Sequence, residues 1–367
     1  MATVPVSAMY RAKQCIAELT VYGFAQTTVN VVFLYYMVSH PGVWLSAYAA
    51  WNCLLVVVPS LLIFVRGCVI FQECRFDRRY LFSATRFKQL FAFSAYRFGG
   101  AICSILSQQG MALIVNKLLG PARNAAMAVA GTVSSHSQTF AGSLSAAFYP
   151  AVTNACGEND YGKMRRLAFA ACKLSGLFAL VFALPLMVEI KEVMRLWLKN
   201  PPEGASDVCW CLLCAAVLEN ATSGHYMVIF SVGDIKKYQF WVAMAGLVVL
   251  PVAAVFMVAG LGLIGVGCSL LISAIMVAVV RLYFGNKVGK FSPLPWIRHL
   301  LAPFGVCSSI TLAIGCLASS FAGKGFSGIC LVTLAMECFF IPMAWFLVLD
   351  QYDREFLLRR CKWLRKS

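Results

Sequence analysis

Residues 94–154 read SAYRFGGAICSILSQQGMALIVNKLLGPARNAAMAVAGTVSSHSQTFAGSLSAAFYPAVTN. Two hydrophobic segments, each long enough to cross a bilayer, are joined there by a short turn at Gly120-Pro121. Both carry more polar residues than lipid tolerates: Arg97, Gln108, Gln109, Asn116, Asn124, Ser134, Ser135, His136, Gln138 and Thr139. An unsatisfied polar group in hydrocarbon costs several kcal/mol, so these side chains must face protein or water. The pattern describes helices that line a polar cavity, the wall of a transport path.

The rest of the chain has a matching composition. Of its 367 residues 60% are hydrophobic and only 13% charged, and the mean hydropathy is +0.77. These values exclude the soluble classes and indicate an integral membrane protein. Sixteen cysteines would mark a disulfide framework in a small secreted chain, but most lie inside apolar runs, where a thiol acts as a small buried hydrophobe. Cys209, Cys211 and Cys214 (CWCLLC) contain one CxxC within a membrane helix. With no second ligand pair nearby, packing is the expected role and no metal site is assigned.

Windows of about 20 apolar residues, enough to cross roughly 30 Å of hydrocarbon, place ten spans. They lie near 15–38, 43–65, 89–116, 124–150, 165–188, 208–230, 238–259, 261–284, 299–319 and 327–349. With a cytoplasmic N-terminus, the inside segments are 1–14, 66–88, 151–164, 231–237, 285–298 and 350–367, and these hold most of the Lys and Arg. The outside loops offer only Lys117, Arg123, Lys191, Arg195, Lys199 and Lys324. This positive-inside bias puts both termini in the cytoplasm. It also accounts for the net charge of +16 and the pI of about 9.3 without any nucleic acid. The outside stretch 189–207, amphipathic at its start, is expected at the interface with Trp197 as anchor. Pro59, Pro185, Pro251 and Pro342 fall inside spans, where a freed carbonyl invites a kink, although packing is the plainer reading.

Several pieces in order resemble one family: FQECRF (71–76), RFGG, SQQG and LLGPARNAA within 97–126, FYPAVTNACGENDYGKMRRL (148–167), KLSGLFALVFALPLMVE (173–189), LWL (196–198) and GDIKKYQ (233–239). They are similar to the Wzx-type oligosaccharide flippases of polysaccharide biosynthesis, relatives of the MATE drug exporters and the lipid II flippases. The resemblance implies an all-α polytopic membrane bundle of two six-helix lobes about a central cavity, often followed by two more helices. On that plan residues 1–85 resemble the remnant of a first lobe. Residues 86–290 are then a complete second lobe, 291–349 an appended helix pair and 350–367 a basic cytoplasmic tail. VPVSAMYRAK resembles the cytoplasmic end of the family's fourth helix, so about ten transmembrane helices and an incomplete first lobe are expected, from a late start or a fragmentary gene.

The substrate that the resemblance implies is an oligosaccharide on a polyprenyl diphosphate in the bacterial cytoplasmic (inner) membrane. Such a headgroup calls for cations at the diphosphate and amides or hydroxyls at the sugars. Arg97, beside Gly99 and Gly100, either offers a bidentate fork to phosphate or snorkels to the inner interface. Arg123 faces the outer surface or the cavity, and Gln108, Gln109, Asn116 and Asn124 supply amides. Relatives often place Arg-Gly after the Asn-Ala-Ala motif, where this chain has Met127-Ala128, leaving Arg97 or Arg123 to substitute. Lys173 matches a family lysine and is read as a second cation or a snorkelling side chain. Glu219 with Asn220 is the ion-coupling candidate, because a mid-helix carboxylate must be paired, protonated or bound to a cation such as Na+. His136 is expected to make a helix–helix hydrogen bond rather than to shuttle protons, and Glu337 a structural contact.

No GxxxxGK[ST] loop, HExxH or GxSxG elbow occurs, so no catalytic residue, no cofactor and no enzyme activity are expected. The expected partners are the lipid-linked oligosaccharide, membrane lipids, Na+ or H+, and other polysaccharide assembly proteins. Three alternatives compete. A drug exporter of the same superfamily would favour an apolar, acid-lined cavity, and a membrane-embedded polymerase would show a long outside loop. The third is a non-functional, N-terminally truncated remnant.

Overall fold

The computed structural model describes residues 6–7, 9–10, 16–40, 45–71, 84–233, 235–351 and 353–354, with side chains at all of these except 16, 17, 45, 84–86, 89, 90 and 92–97. All regular structure among the described residues is helical. Inside hydrocarbon a helix meets its own backbone hydrogen bonds, which is why apolar runs of this length take that form. Six helical stretches are long and apolar enough to cross a membrane, or seven if one bent pair counts as a span. The chain is thus an all-α, multi-pass membrane protein. The ten expected spans all fall on helices, but not one to one with these stretches: Lys236–Gly289 holds two of them, while the helix Pro121–Gly157 is too polar to qualify.

Two compact units make up the chain, Met1–Gln89 and Leu90–Ser367. The first contains α1 (Ile16–Ser39) and α2 (Leu45–Ile70). Arg66 near the end of α2 grips Glu18 at the start of α1 through two bonds of 2.9 and 3.1 Å. Phe33 and Trp51 stack at 4.1 Å toward the other end, so the helices run antiparallel. Val6 and Tyr10 pack on the end of α2, where a side chain at Gly67 would stand 2.1 Å from Val6 Cγ1.

Helix α3 (Ala84–Leu119) begins in the first unit and continues into the second. There follow α4 (Pro121–Gly157), α5 (Tyr161–Leu198), α6 (Ala205–Ala221), α7 (Ser223–Val232), α8 (Lys236–Phe256), α9 (Gly262–Gly289), α10 (Pro293–Phe321) and α11 (Phe326–Leu347). The junctions are written locally. Gly120 at φ 87° turns the chain and Pro121 opens α4, the usual Gly-before, Pro-inside arrangement at a helix start. Asp160 caps α5 by accepting from the Lys163 N–H at 2.9 Å. Between α8 and α9 a single π turn, Met257–Leu261, is kinked at Gly260, whose φ of 86° is a left-handed conformation.

Helix α5 is charged toward both ends but largely apolar through its middle, and that middle is buried. Near its end Ala183, Met187 and Ile190 pack against Val208 and Leu213 of α6 and Val249 of α8. In its middle Leu177, Leu180 and Leu184 meet Phe304 of α10 and Met336 and Phe340 of α11. At its start Met164, Ala168 and Ala171 pack with Val152 of α4 and Val228 of α7. The last two helices therefore share the core of the second unit.

Close approach at α5 depends on Gly176, where a Cβ would sit 2.5 Å from the Phe304 ring. Gly176→Ala is expected to destabilise the protein by roughly 1–3 kcal/mol through overpacking. Gly246 in α8 has nothing within 4 Å of an added Cβ, so Gly246→Ala is expected to stabilise by about 0.5–1 kcal/mol. Thermal unfolding of the detergent-purified variants should show shifts of opposite sign.

Candidate functional site

The sequence LENATSGHY at 218–226 places Thr, Ser and Gly in succession inside an apolar run, and the helix breaks there. Helices α6 and α7 meet at 46°. Thr222, at φ −107° and ψ 6°, has left the helical region, and its Oγ1 lies 3.0 Å from Leu218 O and 3.1 Å from Glu219 O. A hydroxyl in this position competes with the backbone ladder.

The carbonyls at the break do not go to lipid. Arg281 Nη1 of α9 donates to Glu219 O at 3.0 Å, Ser175 Oγ of α5 to Asn220 O at 3.0 Å, and Trp296 Nε1 of α10 to Ala221 O at 2.7 Å. Glu219 O and Asn220 O also accept from Thr222, but Ala221 O depends on Trp296 and would otherwise be an orphaned acceptor in an apolar setting. Helix α7 then lies so close to α5 that a Cβ at Gly224 would stand 1.9 Å from Ala168 O. The neighbouring His225 ring is fully buried, 4.2 Å from the Phe291 ring.

Arg281 also binds the break through its side-chain partners. Nη2 pairs with Glu219 Oε1 at 3.1 Å, Nη1 donates to Thr222 Oγ1 at 3.1 Å, and the guanidinium stands 5.6 Å from the centre of the Tyr226 ring. The Arg281 side chain is 11% exposed and that of Glu219 52%. The ion pair thus opens on its carboxylate side into a cavity of about 340 Å³, lined further by Gln138, Gly142 and Ser145 of α4 and by Asn220, Ser223 and Tyr226. A guanidinium ringed by amides, hydroxyls and a phenol suits an anion that also carries hydroxyl groups.

Of the residues selected from sequence, Glu219 and Asn220 stand at this break, and Asn220 Nδ2 returns to Ala216 O at 2.9 Å. The others are elsewhere. Gln108, Gln109 and Asn116 are exposed on α3, which uses Ser107 and Gly110 instead to pack on Gly246 and Leu250 of α8. Arg123 pairs with Glu203 at 3.1 Å, fastening the start of α4 to the loop before α6, with Asn124 beside it in the first turn. Arg97 lies on α3, and its side chain is outside the described residues.

Lys173 requires a correction, since it neither snorkels nor reaches the cavity at the break. Its side chain is 1% exposed and is held by Asp350 and by Asp353 at 2.8 Å, from the segment after α11. The Phe169 ring lies 4.9 Å away. A buried ammonium keeps its charge only with such partners. His136 is likewise not engaged in helix packing: it is exposed on α4 and lines a groove with Phe140, Phe182 and Trp197.

Sequence reasoning passed over Arg281, because it falls near the end of an expected span, where a snorkelling cation is the ordinary reading. The signal for it was Glu219, whose carboxylate needed a counter-charge from another helix.

The sequence model of a family described as polysaccharide biosynthesis protein matches residues 14–199, half of the chain. No curated protein and no solved structure matches it.

Removing the lysine at 173 strands the Asp353 carboxylate, which is only 11% exposed. Lys173→Ala is expected to cost roughly 3–5 kcal/mol, as for other broken buried pairs. Adding Asp350→Asn and Asp353→Asn to that variant should recover part of the loss, which a thermal-unfolding cycle will show as a non-additive energy.

Proposed function

We propose a flippase activity from the premise that this chain belongs to the family of polysaccharide biosynthesis proteins. A role in polysaccharide biosynthesis comes with the family. The species we assign to it is an oligosaccharide on a polyprenyl diphosphate, moved across the bacterial cytoplasmic membrane by alternating access, with both termini in the cytoplasm. The observation that carries this reading is the Arg281–Glu219 pair at the helix break, open to a cavity of amides and hydroxyls.

In this reading the diphosphate takes over the Arg281 guanidinium from Glu219, and the sugars bond to Gln138, Asn220 and Ser223. Glu219, released, takes up H+ or Na+, which links transport to an ion gradient. The break at Thr222 is the point where α6 and α7 bend relative to one another, as discontinuous helices do in other transporters. The prenyl tail stays in lipid, so the protein lowers only the cost of carrying a charged, hydrated headgroup through hydrocarbon. No bond is made or broken, and other polysaccharide assembly proteins supply and consume the substrate. An arginine at the cavity wall favours an anionic cargo over the cationic drugs that an acid-lined cavity would select.

The test is complementation of a polysaccharide-producing bacterium that lacks its own flippase, scored as surface polysaccharide at matched protein levels. Arg281→Ala is expected to lower export roughly 10- to 100-fold, the loss of a charge-assisted contact. Arg281→Ala with Glu219→Ala should stay equally low. Recovery in the double variant would mean that Arg281 serves only to neutralise Glu219, and the cargo assignment would fall.

A further inference from the structure

A second cavity, of about 430 Å³, opens where α5 begins, α9 ends, α10 begins and the chain leaves α11. Its lining includes Arg165, Arg166, Lys173 and Lys290 against Asp350 and Asp353, four cations to two carboxylates. Both carboxylates are engaged by the buried Lys173. Lys173 cancels one of these two negative charges, so Arg165, Arg166 and Lys290 leave the cavity lining with a net charge of +2.

Their placement is specific. Arg165 is pinned by backbone: Nε donates to Tyr161 O at 3.1 Å and Nη1 to Lys290 O at 3.3 Å. Arg166 and Lys290 are exposed, and among the described residues neither has an acceptor for its charge. Lys290 stands just past the end of α9 at φ 51°, in the left-handed region where glycine is the easy choice. The chain accepts that conformation and keeps a long cation at the rim. The wall behind is apolar, built from Phe169, Phe291 and Pro295, with the two rings edge to face at 6.3 Å.

A cationic rim over an aromatic wall, at the end of a helix bundle embedded in lipid, matches a molecule with a phosphate at one end and hydrocarbon at the other. A soluble anion would have no use for the wall. We propose that this cavity binds the headgroup of an anionic phospholipid, its phosphate between Arg165, Arg166 and Lys290. A lipid seated there bridges α5, α9 and the segment fastened by Lys173, and so braces the end of the bundle. The proposal rests on membrane insertion alone and is independent of the cargo.

The full chain, purified in detergent, is titrated with phosphatidylglycerol, phosphatidylcholine or inorganic phosphate while its thermal unfolding is followed. Phosphatidylglycerol is expected to raise Tm by about 5 °C near saturation, with little change from the other two. Arg166→Gln with Lys290→Gln should keep the lipid-free Tm, because both side chains are exposed, and lose most of the shift. A charge-matched control, Lys237→Gln with Lys287→Gln, lies outside the cavity lining and should retain it. Equal shifts from the two lipids, or equal loss in the control, would show diffuse attraction and overturn the site. A saturable shift from phosphate alone would assign the cavity to a soluble anion and overturn the lipid.

Discussion

A peptide carbonyl released inside an apolar bundle has no water to turn to, and the second unit is arranged around meeting that demand at residues 219–221. Three helices send one donor each: α9 gives Arg281, α5 gives Ser175 and α10 gives Trp296. The break therefore ties together helices that are far apart in sequence. The same residues that repair the backbone also shape the cavity, since Arg281 reaches the Glu219 carboxylate with its second nitrogen. Glycine at 224 is part of the same solution, because only the absence of a side chain brings α7 close enough to α5.

Two ion clusters within this unit each hold a buried cation against a carboxylate that reaches the surface. Lys173 is itself buried beside the Phe169 ring, but of its two carboxylates Asp353 is 11% exposed and Asp350 65%. Arg281 is almost as enclosed, and its partner Glu219 is likewise half open, to a polar cavity. The two differ in their partners: Lys173 holds two carboxylates, whereas Arg281 holds one and also binds a carbonyl and a hydroxyl at the break.

The burial of α5 explains why the last two helices belong to the core. Its middle third presents Leu177, Leu180 and Leu184 to α10 and α11, which in turn cover Gly176 and carry Trp296 to the break. The segment beyond α11 is then held to the start of α5 through Lys173. A lipid phosphate at Arg166 and Lys290 would lie on this same end, so its binding and the fastening of that segment would reinforce one another.

The sequence by itself determined the class of protein and where its helices run. Apolar length, Gly-Pro junctions and the inside bias of Lys and Arg are local properties, and hydrocarbon leaves an apolar run little choice but a helix. It also marked Glu219 as costly, because a lone carboxylate in a span is visible without knowing its neighbours. The pairing of polar residues was decided only in three dimensions. Lys173 meets Asp350 across 177 residues and Glu219 meets Arg281 across 62, while Gln108, Gln109 and Asn116, equally polar in sequence, are exposed on α3. Which helix stands beside which, and which way each side chain leaves it, are set by packing over the whole bundle, and no local pattern encodes them.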